Sequence, residues 1–195
     1  MRFPSFLLAA LVAGQALAAP AQLSLCASCH GSDGQGIDPA GPRLAGQSAQ
    51  YLANQLHLFQ AGSRQNPIMQ PMAAMVQGDA VQELADYFAG QKVAEPPLHK
   101  RGEQPVIEGI GEKLAYQGDW SRELPSCVSC HGPSGIGGGI FPRLAGQQQQ
   151  YLENQLRAWQ QGTRKGDPDG VMAHLAGKLS AEEVTAVAHY FASLK

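Results

Sequence analysis

The sequence predicts an all-α fold made of two tandem domains related by internal duplication. Three observations lead there. The chain repeats itself at a distance of about one hundred residues, too long a period for a solenoid unit and the right size for a domain. Its apolar positions recur at helical spacing, and no useful stretch alternates apolar with polar residues as a half-buried strand would.

The N-terminus stands apart from both repeats. Met1-Arg2 supplies a positive start, Phe6 to Ala13 is uncharged and apolar, and Ala16-Leu17-Ala18 has the small-x-small form of a cleavage site. Residues 1–18 therefore read as a secretory signal peptide, too short for a comfortable membrane span. The mature chain is expected to begin near Ala19, in the periplasm; an uncut signal would instead remain as an anchor. The first domain then covers 19–91, a linker 92–105 and the second domain 106–195. The linker, "KVAEPPLHKRGEQP", contains Pro96-Pro97, which stops a helix, and charges suited to water.

Within the repeats, "GPRLAGQSAQYLANQLHLFQAGSR" (Gly41 to Arg64) returns as "FPRLAGQQQQYLENQLRAWQQGTR" (Phe141 to Arg164). Tyr51, Leu52, Gln55, Leu56 and Phe59 fall on one helical face, as do Tyr151, Leu152, Gln155, Leu156 and Trp159. The last helix opens with Ser180-x-x-Glu183, a capping box, and buries Val184, Val187, Ala188 and Phe191. Its counterpart is expected to start at Asp79, with Gln82 at the third helical position. "ELADYFA" (Glu83 to Ala89) and "AVAHYFA" (Ala186 to Ala192) close the two halves. Charged residues are only 15% and the net charge is −2, which argues against a nucleic-acid surface. Two small domains of this kind have thin cores and gain from burying something else.

All four cysteines lie in two Cys-x-x-Cys-His-Gly units, "CASCHG" from Cys26 and "CVSCHG" from Cys127. A zinc site wants four N or S ligands, and each unit offers three. A redox dithiol belongs at a strand-to-helix junction, and no strands are predicted. Covalent attachment of a c-type haem fits the spacing. Cys26 and Cys29, and Cys127 and Cys130, add to the vinyl groups of two haems, and His30 and His131 lie under the irons as axial ligands. Methionine thioether is the usual sixth ligand in electron carriers. Met172 is the single methionine of the second half, eight residues before Ser180. The local repeat offset of 103 carries it to Met69, in preference to Met72 and Met75. His174 is a competitor two residues from Met172, whereas His57, His99 and His189 have no partner in the other half.

These motifs bring a resemblance into view. The chain resembles the dihaem cytochrome c4 family, two class I cytochrome c domains in tandem, over nearly all of the mature length. The resemblance implies carbonyls of Pro42 and Pro142 on the proximal imidazoles and Arg43 and Arg143 on haem propionates. It implies a periplasmic electron carrier rather than an enzyme, with a quinol-oxidising cytochrome complex as donor and a haem–copper oxidase as acceptor. Loose membrane association occurs among such carriers. The alternative is a dihaem redox enzyme, a peroxidase or sulfur-compound oxidoreductase with one open haem; the repeated methionine argues against it. Class I domains also begin with a helix crossing the last one. "IEGIGEKLAYQG" supplies it in the second half, with Gly111 to meet Tyr190 or Phe191. Only seven residues separate Ala18 from Cys26, so the first domain lacks this helix and is expected to be the less stable.

Overall fold

The computed structural model describes residues 19–96, 107 and 109–194. The expected signal peptide lies outside the described residues, as does most of the expected linker, including His99. Among the described residues the protein is helical, with only isolated β-bridges, and no helix is long and apolar enough to cross a membrane.

The first half contributes α1 (Leu23–His30), α2 (Ala49–Gln60), α3 (Met69–Ala74) and α4 (Ala80–Ala89). The second contributes α5 (Ile110–Tyr116), α6 (Val128–His131), α7 (Gln149–Gln160), α8 (Val171–Gly177) and α9 (Ala181–Ser193). Helices α1 to α4 correspond to α6 to α9, and α5 has no counterpart among the described residues. The expected faces turn inward, with Tyr51, Leu52, Gln55 and Phe59 buried in α2, while in α7 only Leu152 and Trp159 of that face are fully buried, together with Glu153. Tyr51 and Leu52 of α2 pack with Val81, Leu84, Ala85 and Phe88 of α4. Leu152 of α7 packs with Val187, Ala188 and Phe191 of α9 and Ala115 of α5. Burying a side chain such as Phe88 contributes about 1.5–3 kcal/mol.

The capping box of α9 forms in full: Ser180 Oγ accepts from Glu183 N–H at 3.2 Å, and Glu183 accepts from Ser180 N–H at 2.8 Å. The counterpart at α4 does not. Asp79 occupies the cap position but caps nothing, because its backbone is already helical (φ −64°, ψ −24°) and a capping residue needs extended backbone to reach the first turn. Gln82 donates instead to Asp86 at 2.9 Å.

The crossing of α5 on α9 forms as the glycine predicts. A Cβ on Gly111 would stand 2.2 Å from the Ala186 carbonyl oxygen and 3.0 Å from Tyr190 Cβ. Tyr116 of α5 then meets Tyr190 edge to face at 6.1 Å. In the first half no helix precedes α1 among the described residues, and the Tyr87 hydroxyl donates to the Ser32 carbonyl at 2.9 Å instead.

Candidate haem sites and the seam between the domains

Each Cys-x-x-Cys-His unit is carried by a single short helix that ends on its histidine, with Cys127 at the N-cap of the second. Gly31 and Gly132 follow with φ of +78° and +77°, a conformation that ends the helix and is strained for other residues. The four thiols are free of one another. Burial pushes the Cys26 thiol above its ordinary value and the Cys127 thiol up to about 11, so both are held as thiols rather than thiolates at neutral pH.

His30 and His131 are each 6% exposed. Nδ1 of His30 lies 2.8 Å from the Pro42 carbonyl oxygen and Nδ1 of His131 lies 2.9 Å from that of Pro142. A carbonyl only accepts, so the proton sits on Nδ1 and the Nε2 lone pair is free for a metal. Burial pushes both imidazoles below the ordinary histidine value, with the proline carbonyls working the other way; the charge of Arg164 lowers His131 further. Phe141 stands edge-on to His131 at 6.2 Å and is exposed. Exposed apolar side chains also precede both candidate methionines, Ile68 at 61% and Val171 at 48%. Free imidazole nitrogens, adjacent thiols and bare apolar side chains suit a porphyrin held by iron and sulfur.

Met69 and Met172 occupy equivalent places. Gln60 Nε2 donates to the carbonyls of Ala73 and Val76 at 3.0 and 2.7 Å. Gln160 Nε2 does the same to Ala176 and Leu179, both at 2.9 Å. The donors are 100 residues apart and the acceptors 103, so three extra residues of the second half fall between α7 and α8. Side chains cap both methionine N–H groups: Asn66 accepts from Met69 at 2.8 Å and Asp167 from Met172 at 2.6 Å. Met72 is half-buried further along α3, and Met75, past its end, is 50% exposed. His174 is exposed, while His57 and His189 pair with Gln60 and Gln149.

Arg43 and Arg143, read as propionate partners, lie at the seam between the domains. The Arg143 guanidinium donates to the carbonyls of Ala145 and Ala94 and reaches Glu95 at 3.6 Å. A Cβ on Gly146 of the second domain would stand 2.7 Å from an Arg43 nitrogen. The seam itself is reciprocal. The Gln47 amide accepts from Arg143 N–H at 2.8 Å and donates to the Arg143 carbonyl at 2.9 Å. The Gln147 amide does the same to Arg43 at 3.0 and 2.9 Å. Ser48 Oγ donates to the Gly139 carbonyl and Gln148 to that of Gly41. Sequence reasoning saw these glutamines only as repeated letters. Their signal is the identity of a polar residue across both copies.

The sequence model of the cytochrome c family matches residues 11–92 and again residues 110–195. The chain belongs to the cytochrome c family. This cytochrome c is 35% identical over 185 residues to cytochrome c4 of Pseudomonas aeruginosa, covering 93% of this chain and 90% of that one. It is 48% identical over 171 residues to a thiosulfate dehydrogenase electron acceptor of Stutzerimonas stutzeri, covering 87% and 78%. Among solved structures, reduced cytochrome c4 from Pseudomonas stutzeri matches with a TM-score of 0.80 at 33% identity, over 94% of this chain and all of that one. A thiosulfate dehydrogenase from Marichromatium purpuratum matches at 0.77 and 40% identity, over 87% of this chain and 36% of that longer one. The expected all-α tandem fold of the cytochrome c4 type therefore stands, and the cytochrome c4 and electron-acceptor relatives are electron-transfer proteins rather than enzymes. Family membership implies covalent haem c, and two cysteine pairs fit two haems.

Proposed function

We propose that this cytochrome is an exported, periplasmic two-haem carrier that takes electrons from a thiosulfate-oxidising dehydrogenase. It would pass them on toward a terminal oxidase of the haem–copper type. The observation that carries the carrier reading is one geometry present twice: a buried imidazole with Nδ1–H on a proline carbonyl, next in the chain to one thiol and one helical turn after another. The relative at 48% identity, itself named an electron acceptor of thiosulfate dehydrogenase, supports that donor over the quinol-oxidising complex expected from the resemblance.

Haem c supplies a one-electron iron couple. The chain's part is to hold it and to deny it substrate. Cys26 and Cys29 would tether one group, Cys127 and Cys130 the other. His30 and His131 would supply Nε2, and Met69 and Met172, in the first turns of α3 and α8, would supply sulfur. Ligation by both an imidazole and a thioether would leave no position for a small molecule, and a thioether ligand favours the reduced state.

Two measurements test this. Met172→Ala is expected to let carbon monoxide bind one reduced haem of two and to lower that haem's potential; unchanged potentials would remove Met172 from the ligand set. Stopped-flow mixing of the oxidised protein with a thiosulfate dehydrogenase and thiosulfate is expected to reduce both haems. Reduction no faster than by thiosulfate alone would remove that donor.

A further inference from the structure

Two loops of unequal length lead to the candidate methionines, and both end in the same contact. They leave from matching anchors. Arg64 and Arg164 are buried at the seam and donate to the phenols of Tyr151 and Tyr51 of the other domain at 2.8 and 3.0 Å. From there the first loop runs Gln65-Asn66-Pro67-Ile68 to Met69. The second runs Lys165-Gly166-Asp167-Pro168-Asp169-Gly170-Val171 to Met172. Asn66 therefore stands three residues before its methionine and Asp167 five before its own, each followed by a proline.

In the first half Asn66 Oδ1 accepts from the N–H groups of Ile68 and Met69 at 3.0 and 2.8 Å, and Gln70 accepts from Asn66 N–H at 3.1 Å. In the second, Asp167 Oδ2 accepts from Met172 and Ala173 N–H at 2.6 and 3.2 Å. To reach across two more residues the second loop turns through two consecutive left-handed residues, Asp169 at φ +56° and Gly170 at φ +68°. That conformation is uncommon for a residue other than glycine. Loop length and turn differ between the halves, whereas the side-chain acceptor on the methionine N–H is the same. Asparagine and aspartate serve about equally well at such a helix start, so both hold the methionine backbone alike. Their charges differ. Residues 65–78 carry no ionisable side chain, while the second loop brings a carboxylate into direct contact with the Met172 backbone.

We infer that Asn66 and Asp167 are the positioning residues of the two methionine ligands, and that the difference between them distinguishes the two haems. The carboxylate of Asp167 sets a negative charge on the methionine side of the second iron alone. The inference rests on the haem reading and the methionine assignment above and extends both. Negative charge near an iron favours the oxidised, more positive metal, so Asp167 holds the second midpoint below the value that an asparagine in its place gives.

The test is potentiometry on the full two-haem protein, with the two haems resolved spectrally. Asp167→Asn keeps the acceptor and removes the charge. It is expected to raise the second midpoint, to leave the first where it was and to keep the absorption band of methionine-to-iron ligation. Asn66→Asp is the reciprocal change and is expected to lower the first midpoint alone. Asp169→Asn removes an exposed carboxylate of the same loop and is expected to shift the second midpoint less than Asp167→Asn. Asp167→Ala removes acceptor and charge together. It is expected to weaken methionine ligation, so that carbon monoxide binds the reduced second haem, as it does not in Asp167→Asn. Should Asp167→Asn fail to fold, Asn66→Asp carries the test. Midpoints that stay put or move the other way in the folded isosteric variants, or an equal shift from Asp169→Asn, overturn the charge assignment. An Asp167→Ala protein that keeps its ligation band and excludes carbon monoxide overturns the positioning role. Failure of the haem reading shows separately, as a wild-type protein without two ligated haems, and failure of the methionine assignment as unchanged potentials in Met172→Ala.

Discussion

At His30 and His131 one hydrogen bond decides which nitrogen can meet a metal, and the carbonyl that makes it lies 12 and 11 residues further on. The residue scale also sets one pH dependence. Arg122 donates to Glu183 at 2.6 Å and, with Ser180 N–H, holds its carboxyl below the ordinary glutamate value against a smaller opposing effect of burial. A depressed folded value stabilises above the unfolded value of about 4.3, and that contribution is lost as pH falls through the folded one. Glu183→Gln is therefore expected to lower the denaturation midpoint of the second domain at neutral pH and to converge with wild type in acid. A constant difference at every pH would contradict the pairing. The cysteines, histidines and capping box were legible because their chemistry is local. Asp79 was misread because its backbone angles, which no composition records, keep its carboxylate from the helix end.

Among elements, α5 makes the difference between the halves. Its glycine lets two helices approach to within a distance that no side chain tolerates. Gly111→Ala forces them apart and is expected to cost about 1–3 kcal/mol, the usual price of overpacking, read by denaturant unfolding of the second domain. Without such a helix among the described residues, the first domain closes over Tyr87 with a single hydrogen bond to Ser32. Peptide-resolved hydrogen exchange is expected to show α1 and α4 opening before α6 and α9; the reverse order would refute the stability difference. The helices were predictable because apolar spacing marks their buried faces. The equivalence of α3 and α8 was legible only through a repeat offset, and the bonds of Gln60 and Gln160 now supply its physical basis.

At the scale of the whole molecule, symmetric polar contacts hold the two domains together. Gln47 and Gln147 each clamp one peptide unit of the opposite domain and are 6% and 4% exposed. Gln47→Ala leaves the Arg143 N–H and carbonyl unmet, which costs about 1–3 kcal/mol for a buried group. The expected outcome is a single thermal transition split into two, one per domain, by calorimetry. A transition that stays single and shifts little would mean the glutamines do not couple the domains.

The sequence by itself determined the duplication, the helical class, the haem-type motifs and the carrier chemistry, because each depends on residues close together in the chain or on spacing repeated in it. Only the tertiary structure decided how the halves meet. Gln47 with Arg143, and Arg64 with Tyr151, are 96 and 87 residues apart, and nothing local in either partner specifies the other. Tyr51 and Gln55 already lay on the predicted buried face. That their polar ends point across a seam at a pair of charges follows from the packing of two domains, which no periodicity encodes.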